Sequence, residues 1–251
     1  MIKYIAHLIL AISMFLMHII GYGQTKTVQV NHFDSAIISP HIQVTFKKGD
    51  AERVIIESSK VSQEKINIEN EGKTLRIYLD GAKMVTKNVK TKRDEWNNRK
   101  KPLYKDTQVV ATVIYKELKD LSIRGEEIIK CESLIEQDGF RLKAYGESKI
   151  TMNALKVNNL NVTMYGESYL ELKEGTVNNQ KYTVYGEGKI NTLGIANENT
   201  KITAYGEGNF RVNVSDHLKV TAFGEATVAY NGNPSINKGI VIGRAVIQKM
   251  N

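Results

Sequence analysis

Short runs of alternating apolar and polar residues recur along the chain from Phe33 onward, and beyond residue 118 they recur with a period. The runs "LSI", "LKAY", "VTMY", "YTVY", "ITAY" and "VTAF" lead into Arg124-Gly125-Glu126, Tyr145-Gly146-Glu147, Tyr165-Gly166-Glu167, Tyr185-Gly186-Glu187, Tyr205-Gly206-Glu207 and Phe223-Gly224-Glu225. The steps between these glycines are 21, 20, 20, 20 and 18 residues. Alternation of period two marks strands with one buried face. After each glycine comes a second such run, as in "SKITM", "SYLEL", "GKINTL", "GNFRV" and "ATVAY". An Asn-rich corner follows, such as Asn158-Asn159, Asn178-Asn179 or Asn197-Glu198-Asn199, where the tolerance of Asn for left-handed backbone suits a bend. A unit this small cannot bury its own apolar face and must stack on its neighbours. The leucine and asparagine ladder of leucine-rich repeats, helical spacing and a hexapeptide period are all missing, and strand crossovers favour the right hand. The pattern therefore predicts an all-β, right-handed parallel β-helix with coils of about 20 residues.

Within a coil the alternation assigns faces. Leu142, Val162, Tyr182, Ile202 and Val220 share one position of the repeat and predict the core. Tyr145, Tyr165, Tyr185, Tyr205 and Phe223 fall on the opposite face and predict an outward aromatic column, either a stack that serves the solenoid alone or a face for sugar or peptide. The acid after each glycine predicts a column of like charges that must be relieved, by Lys149 and Lys189 in alternate coils and by solvent and salt elsewhere. Calcium wants six or more oxygens, and one carboxylate per coil is few, so the column reads as solvated. A divalent-cation ladder on Glu147, Glu167, Glu187 and Glu207 is the alternative.

Upstream, "FDSAIISPHIQVTFKKGDAERVIIESS" and "INIENEGKTLRIYLDG" each read as strand, turn, strand, with turns at Lys48-Gly49-Asp50 and Glu71-Gly72-Lys73. Strands resume in "TQVVATVIYKELKDLSIRGEE". Between them, residues 83–105 are poor in aliphatics and carry nine basic residues against two acidic ones, nearly the whole formal charge of +8. This segment predicts a separable surface excursion, with Lys92, Arg93, Arg99, Lys100 and Lys101 as an anion-binding patch and Trp96 and Leu103 as a possible cap. One basic segment on an otherwise balanced body argues against nucleic acid as the partner.

Residues 1–23 combine Lys3, an apolar run from Leu8 to Ile20 and Gly21-Tyr22-Gly23, the three parts of a cleavable export signal. The apolar run is shorter than the roughly 20 residues of a membrane span, and no cysteine stands near the cleavage point to take a lipid. Cleavage before Gln24 leaves one domain, residues 24–251, with no integral membrane span. Cys131 is the only cysteine and reads as a small buried hydrophobe. His32, His41 and His217 lack metal-ligand spacing, and neither a catalytic constellation nor a cofactor motif is present: Tyr-Gly-Glu-Gly lacks the helix and Lys-Ser/Thr of a phosphate loop.

The stretches from Phe33 to Ser58, Gly72 to Ile77 and Leu118 to Gly125, with the serial glycine corners through Gly239 to Arg244, resemble in their order the putative auto-transporter adhesin, head GIN domain family. The likeness covers nearly all of the chain after the leader. It implies a right-handed β-helix exported by Bacteroidetes-type bacteria and no particular activity. The acid in the corner and the basic excursion depart from the family's usual pattern. The function expected is a non-catalytic binding or structural protein of the cell envelope, placed in the periplasm, at the cell surface or outside the cell, with a surface glycan or envelope protein as partner. The rival is a polysaccharide-acting enzyme of the pectate-lyase-like β-helix type. That rival requires clustered acids beside a groove, whereas the acids here are regular.

Overall fold

Most strand-forming runs alternate and so offer one apolar face, and the chain buries these faces by winding strand over strand around a shared interior. The computed structural model describes residues 25–90 and 100–250. The export signal expected at 1–23 lies outside them, as do Lys92, Arg93, Trp96 and Arg99. Apart from a single 3-10 turn at Gln63–Lys65, the regular structure of the described residues is β. No helix among them is long and apolar enough to cross a membrane.

Six strands come first: β1 (Lys26–Gln29), β2 (Ser35–Ile38), β3 (Ile42–Lys48), β4 (Arg53–Ser59), β5 (Ile66–Glu71) and β6 (Thr74–Leu79). A small ribbon, β7 (Asn88–Lys90) with β8 (Lys100–Pro102), stands apart. Then follow β9 (Val109–Tyr115), β10 (Asp120–Gly125), β11 (Ile128–Cys131), β12 (Ile135–Gly146), β13 (Lys149–Gly166), β14 (Tyr169–Gly186), β15 (Lys189–Thr192), β16 (Ile195–Asn213), β17 (His217–Asn231) and β18 (Ser235–Lys249). From β10 onward successive coils pair parallel and in register, Tyr145 on Tyr165, Tyr185 on Tyr205, Tyr205 on Phe223. The result is the β-solenoid that the period of 20 predicts.

Each middle coil has three sides. The strand before the glycine and the strand after it are those legible in the sequence; a third, short side pairs Leu155–Val157 with Ile135–Gln137 and with Gly175–Val177. Leu142, Val162, Tyr182, Ile202 and Val220 are all buried. At roughly 25 cal/mol per Å2 of apolar surface removed from water, such a continuous column supplies the main driving force in a chain without a disulfide.

The first coils depart from the expected pair of hairpins. β5 and β6 do form one around Gly72-Lys73. β3 and β4 do not pair, because β9 lies between them, parallel to β3 and antiparallel to β4. The coil made of β6 and β9 thus sits beneath the coil made of β2 and β3, although it follows it in sequence, and β10 stacks on the far side of β2. This inversion leaves antiparallel strands β5, β4 and β1 over the N-terminal end, where they close a parallel edge that would otherwise be open.

Candidate functional site

The corner after the tyrosine-bearing strand sets the outer geometry. Gly186 has φ +109°, a region L side chains rarely enter, and a Cβ there would lie 2.8 Å from the carbonyl oxygen of Gly166 below it. The same bend repeats from Gly125 to Gly243, so whatever flanks the glycine is stacked at the strand spacing.

The tyrosines before the glycines stack face to face. Ring centroids are 4.9 Å apart from Tyr145 to Tyr165, 4.8 Å from Tyr165 to Tyr185, 4.7 Å from Tyr185 to Tyr205 and 4.9 Å from Tyr205 to Phe223, with planes within 4°. The Arg124 guanidinium, at the tyrosine's register position in the previous coil, lies 5.2 Å from the Tyr145 ring centroid and caps the stack. Tyr165, Tyr185 and Tyr205 are 39%, 38% and 38% exposed. Because each ring face is covered by the next ring, what the column turns to solvent is ring edges and phenolic hydroxyls. It is a hydroxyl-tipped ridge, where sequence alone allows a platform of open aromatic faces.

Beside the ridge, Glu126, Glu147, Glu167, Glu187, Glu207 and Glu225 form the expected acidic column, all exposed. Lys149 and Lys189 do not neutralise it directly: among the described residues no cation lies within 4 Å of any carboxylate in this column. Both lysines project from the strand after the corner, so water and salt carry the relief. The column ends at Arg244, the register partner of Glu225. Among the described residues no three His, Cys, Asp or Glu side chains come together to hold a metal ion.

One residue further on, the position points inward. Ser148 and Ser168 donate to the carbonyls of Gly125 and Gly146 at 3.1 and 3.0 Å. In the first corner this place belongs to Glu127, which is buried and accepts the N–H of His41 at 2.8 Å and of Glu126 at 3.0 Å. Burial raises its carboxyl above the ordinary value, while those N–H groups and the His41 ring pull the other way. His41 is itself held at φ +72°, its Nδ1 donating to the Asp106 carbonyl at 2.8 Å and its Nε2 lying 2.6 Å from Thr86 Oγ1. It is a structural histidine that pins the foot of the basic excursion.

That foot is built into the solenoid. Tyr104 is buried and its hydroxyl donates to the Asp80 carbonyl at 2.9 Å, and Ser39 Oγ donates to the Lys83 carbonyl at 2.7 Å. Burial pulls the Lys83 ammonium down, but the Tyr78 phenol, Glu69 and Glu71 more than offset it, with both carboxylates 3.5 Å away. The excursion expected at 83–105 is therefore the enlarged corner of the β6–β9 coil, anchored at both ends. Of its candidate anion-binding residues, Lys100 and Lys101 are described and exposed on β8. Against this foot lies a groove of about 850 Å3, with Met84, Val85, Pro102, Arg124 and Tyr145 in its walls. Cys131 is buried, and burial pushes its thiol up to about 12.

Glu127, Arg124 and His41 were not legible as a cluster, because the inverted order of the first coils brings together residues 86 positions apart. The Arg124 cap has a sequence signal, since it occupies the tyrosine's place in the first repeat.

Residues 32–234 match the family model described as "Putative auto-transporter adhesin, head GIN domain". No curated protein matches the chain. Among solved structures, a putative adhesin from Bacteroides fragilis NCTC 9343 is 18% identical with a TM-score of 0.74, covering 90% of this chain and 96% of that one. A putative adhesin from Parabacteroides merdae ATCC 43184 is 17% identical with a TM-score of 0.66, covering 91% and 96%. A putative lipid binding protein from Parabacteroides distasonis ATCC 8503 is 17% identical with a TM-score of 0.59, covering 92% and 98%. At these identities the likeness is one of fold.

Proposed function

The chain belongs to the putative auto-transporter adhesin, head GIN domain family, and on that premise we propose that it is an exported, non-catalytic solenoid that attaches to a polymeric partner of the cell envelope. The observation that carries this reading is repetition: the outward positions on either side of the corner glycine hold tyrosine and glutamate in four successive coils. Catalysis brings unlike groups together at one point. A lattice of like groups instead suits a partner with its own repeat, where many weak contacts sum to useful avidity. The ridge of Tyr145, Tyr165, Tyr185 and Tyr205 and the acidic column beside it make one such lattice.

The purified protein on a glycan array, with polygalacturonate included as a digestible polymer, tests the reading. Retention on one class of glycan without chain cleavage is expected. Release of shortened uronic-acid chains would overturn it in favour of the polysaccharide-acting enzyme.

A further inference from the structure

A second groove, with about 270 Å3 of space, runs along the solenoid axis at the corner that leads into the tyrosine-bearing strands. One wall is an amide ladder. Asn179 Nδ2 donates to Asn159 Oδ1 at 3.5 Å, Asn199 Nδ2 to Asn179 Oδ1 at 3.2 Å, and His217 Nδ1 to Asn199 Oδ1 at 2.9 Å. Asn179 and Asn199 each spend one amide N–H on the preceding asparagine and keep the other, while Asn159 only accepts. The opposite wall is Lys181, Lys201 and Lys219, in register on β14, β16 and β17 and exposed. The floor is rigid: Gln180 and Thr200 are buried, Gln180 Nε2 donates to Thr200 Oγ1 at 2.8 Å, and Thr200 Oγ1 donates to Asn197 Oδ1 at 2.6 Å.

The chemistry of this groove is one-sided. No Asp or Glu lines it, and among the described residues none of the three ammonium groups has a carboxylate within 4 Å. Three like charges in register, at about the 4.8 Å strand spacing, repel one another and are relieved only by counter-ions or by a bound anion with a comparable repeat. Toward the N-terminal coils the same corner is lined by Glu117, Asp120 and Asp138 against Lys119 and Arg141, with Lys119 spent on Glu117 and Asp34 at 3.1 and 3.5 Å and Arg141 on Asp120 at 3.2 Å. The cationic stretch therefore starts at Lys181 and spans three coils. Both walls offer donors, so the occupant presents acceptors and negative charge at intervals along a line. No Phe, Tyr or Trp lines the groove, so it lacks the broad stacking platforms that single-stranded nucleic acid uses.

We propose that this groove binds a linear acidic polysaccharide lying along the solenoid axis, its carboxylate or sulfate groups meeting Lys181, Lys201 and Lys219 and its hydroxyl and ring oxygens accepting from Asn159, Asn179 and Asn199. The proposal rests on the adhesin-like reading only in requiring a polymeric partner, and it names both the class of glycan and the place. Charge complementarity of this kind sets specificity and on-rate and is weakened by salt.

The test is calorimetric binding of the purified protein to polygalacturonate and to dextran sulfate, with methyl-esterified polygalacturonate, neutral dextran and a single-stranded oligonucleotide as comparators. Expected are salt-sensitive binding to the two acidic polymers, at least tenfold weaker binding for K181Q/K201Q/K219Q, retention by K181R/K201R/K219R, and little change for K100Q/K101Q. The substituted side chains are exposed, and equal melting temperatures would verify that the variants fold alike. The proposal is overturned if the triple glutamine variant binds as tightly as the parent, if K100Q/K101Q is the variant that loses binding, or if the oligonucleotide binds as well as the polysaccharides. A protein that retains only neutral glycans on the array would remove this proposal and leave the adhesin-like reading standing; one that retains none would remove both.

Discussion

Tyr185 sits mid-column, with a ring on each side at 4.8 and 4.7 Å. Aromatic pairs contribute about 0.5–1.5 kcal/mol each beyond area burial, so Tyr185→Ala should cost about 1–3 kcal/mol for the two contacts, with some further loss for the ring area it covers. Phe223, at the far end, has one ring neighbour, and Phe223→Ala should cost less in stacking. Chemical denaturation of both variants compares the two, and equal or negligible losses would show that the stack does not support the solenoid. Glu127 offers a pH-dependent counterpart. Its folded carboxyl is raised above the unfolded value, so the folded state binds that proton more tightly. Stability from this group is fully present below pH ~4.5 and is lost as pH rises through the raised folded value. In Glu127→Gln that loss disappears. The melting temperature of the variant minus that of the parent should thus be more positive at pH 7 than at pH 4, whatever its baseline. Taking the difference cancels exposed groups such as Glu71 and Glu136, whose carboxyls hydrogen bonds to Arg76 and Lys156 lower. A flat or inverted difference would mean that the charged form is already compensated by the N–H groups of His41 and Glu126.

Among the elements, the repeating coils were legible because period and alternation are local: the glycine marks the bend, and the residues four and two before it mark the core. Constant offset also writes out the groove, since Arg141, Asn161, Lys181, Lys201 and Lys219 each stand five residues before a corner glycine, yet a column of lysines reads as ordinary solvated surface until the Asn ladder is seen facing it. The insertion of β9 between β3 and β4 was not legible. Pairing partners of an edge strand are chosen by long-range packing, and "KKGD" satisfies a turn whether or not the strands it joins pair. The basic excursion was legible by composition, but the buried Tyr104 at its foot looks like any other loop aromatic. The consequence is a split in tolerance. Replacing residues 88–102 by a short Gly-Ser link should leave the melting temperature within a few degrees, because loop length costs little once the ends are held. Removing residues 83–105 deletes Tyr104 and, with it, the hydroxyl bond to Asp80 and the ring beside His41, 5.7 Å away. A net loss of about 3–5 kcal/mol is expected for an aromatic side chain taken from a core, and equal behaviour of the two deletions would show that the foot is as dispensable as the ribbon.

For the molecule as a whole, the two ends of the solenoid are finished differently. Antiparallel strands cover the N-terminal end, whereas β18 presents a long parallel edge with Ile240 and Ile242 each 63% exposed. Head-to-tail contact between unlike ends does not close on itself and grows into filaments, so an apolar edge of this length needs protection. Lys238 supplies it: it stands in register with buried Val220, on the face that points into the core in every preceding coil, and a strand docking there would bury its ammonium group without a partner. Inward-pointing charge is a recognised means of keeping edges single, and burying an unpaired ammonium costs several kcal/mol. Lys238→Val should remove that barrier while leaving the coil it belongs to intact. Sedimentation velocity across a hundredfold concentration range is expected to show the parent unchanged and the variant shifting toward larger species as concentration rises. If Lys238→Val stays as monodisperse as the parent, while Ile240→Lys/Ile242→Lys also changes nothing, the edge is guarded by its twist and backbone geometry rather than by the lysine.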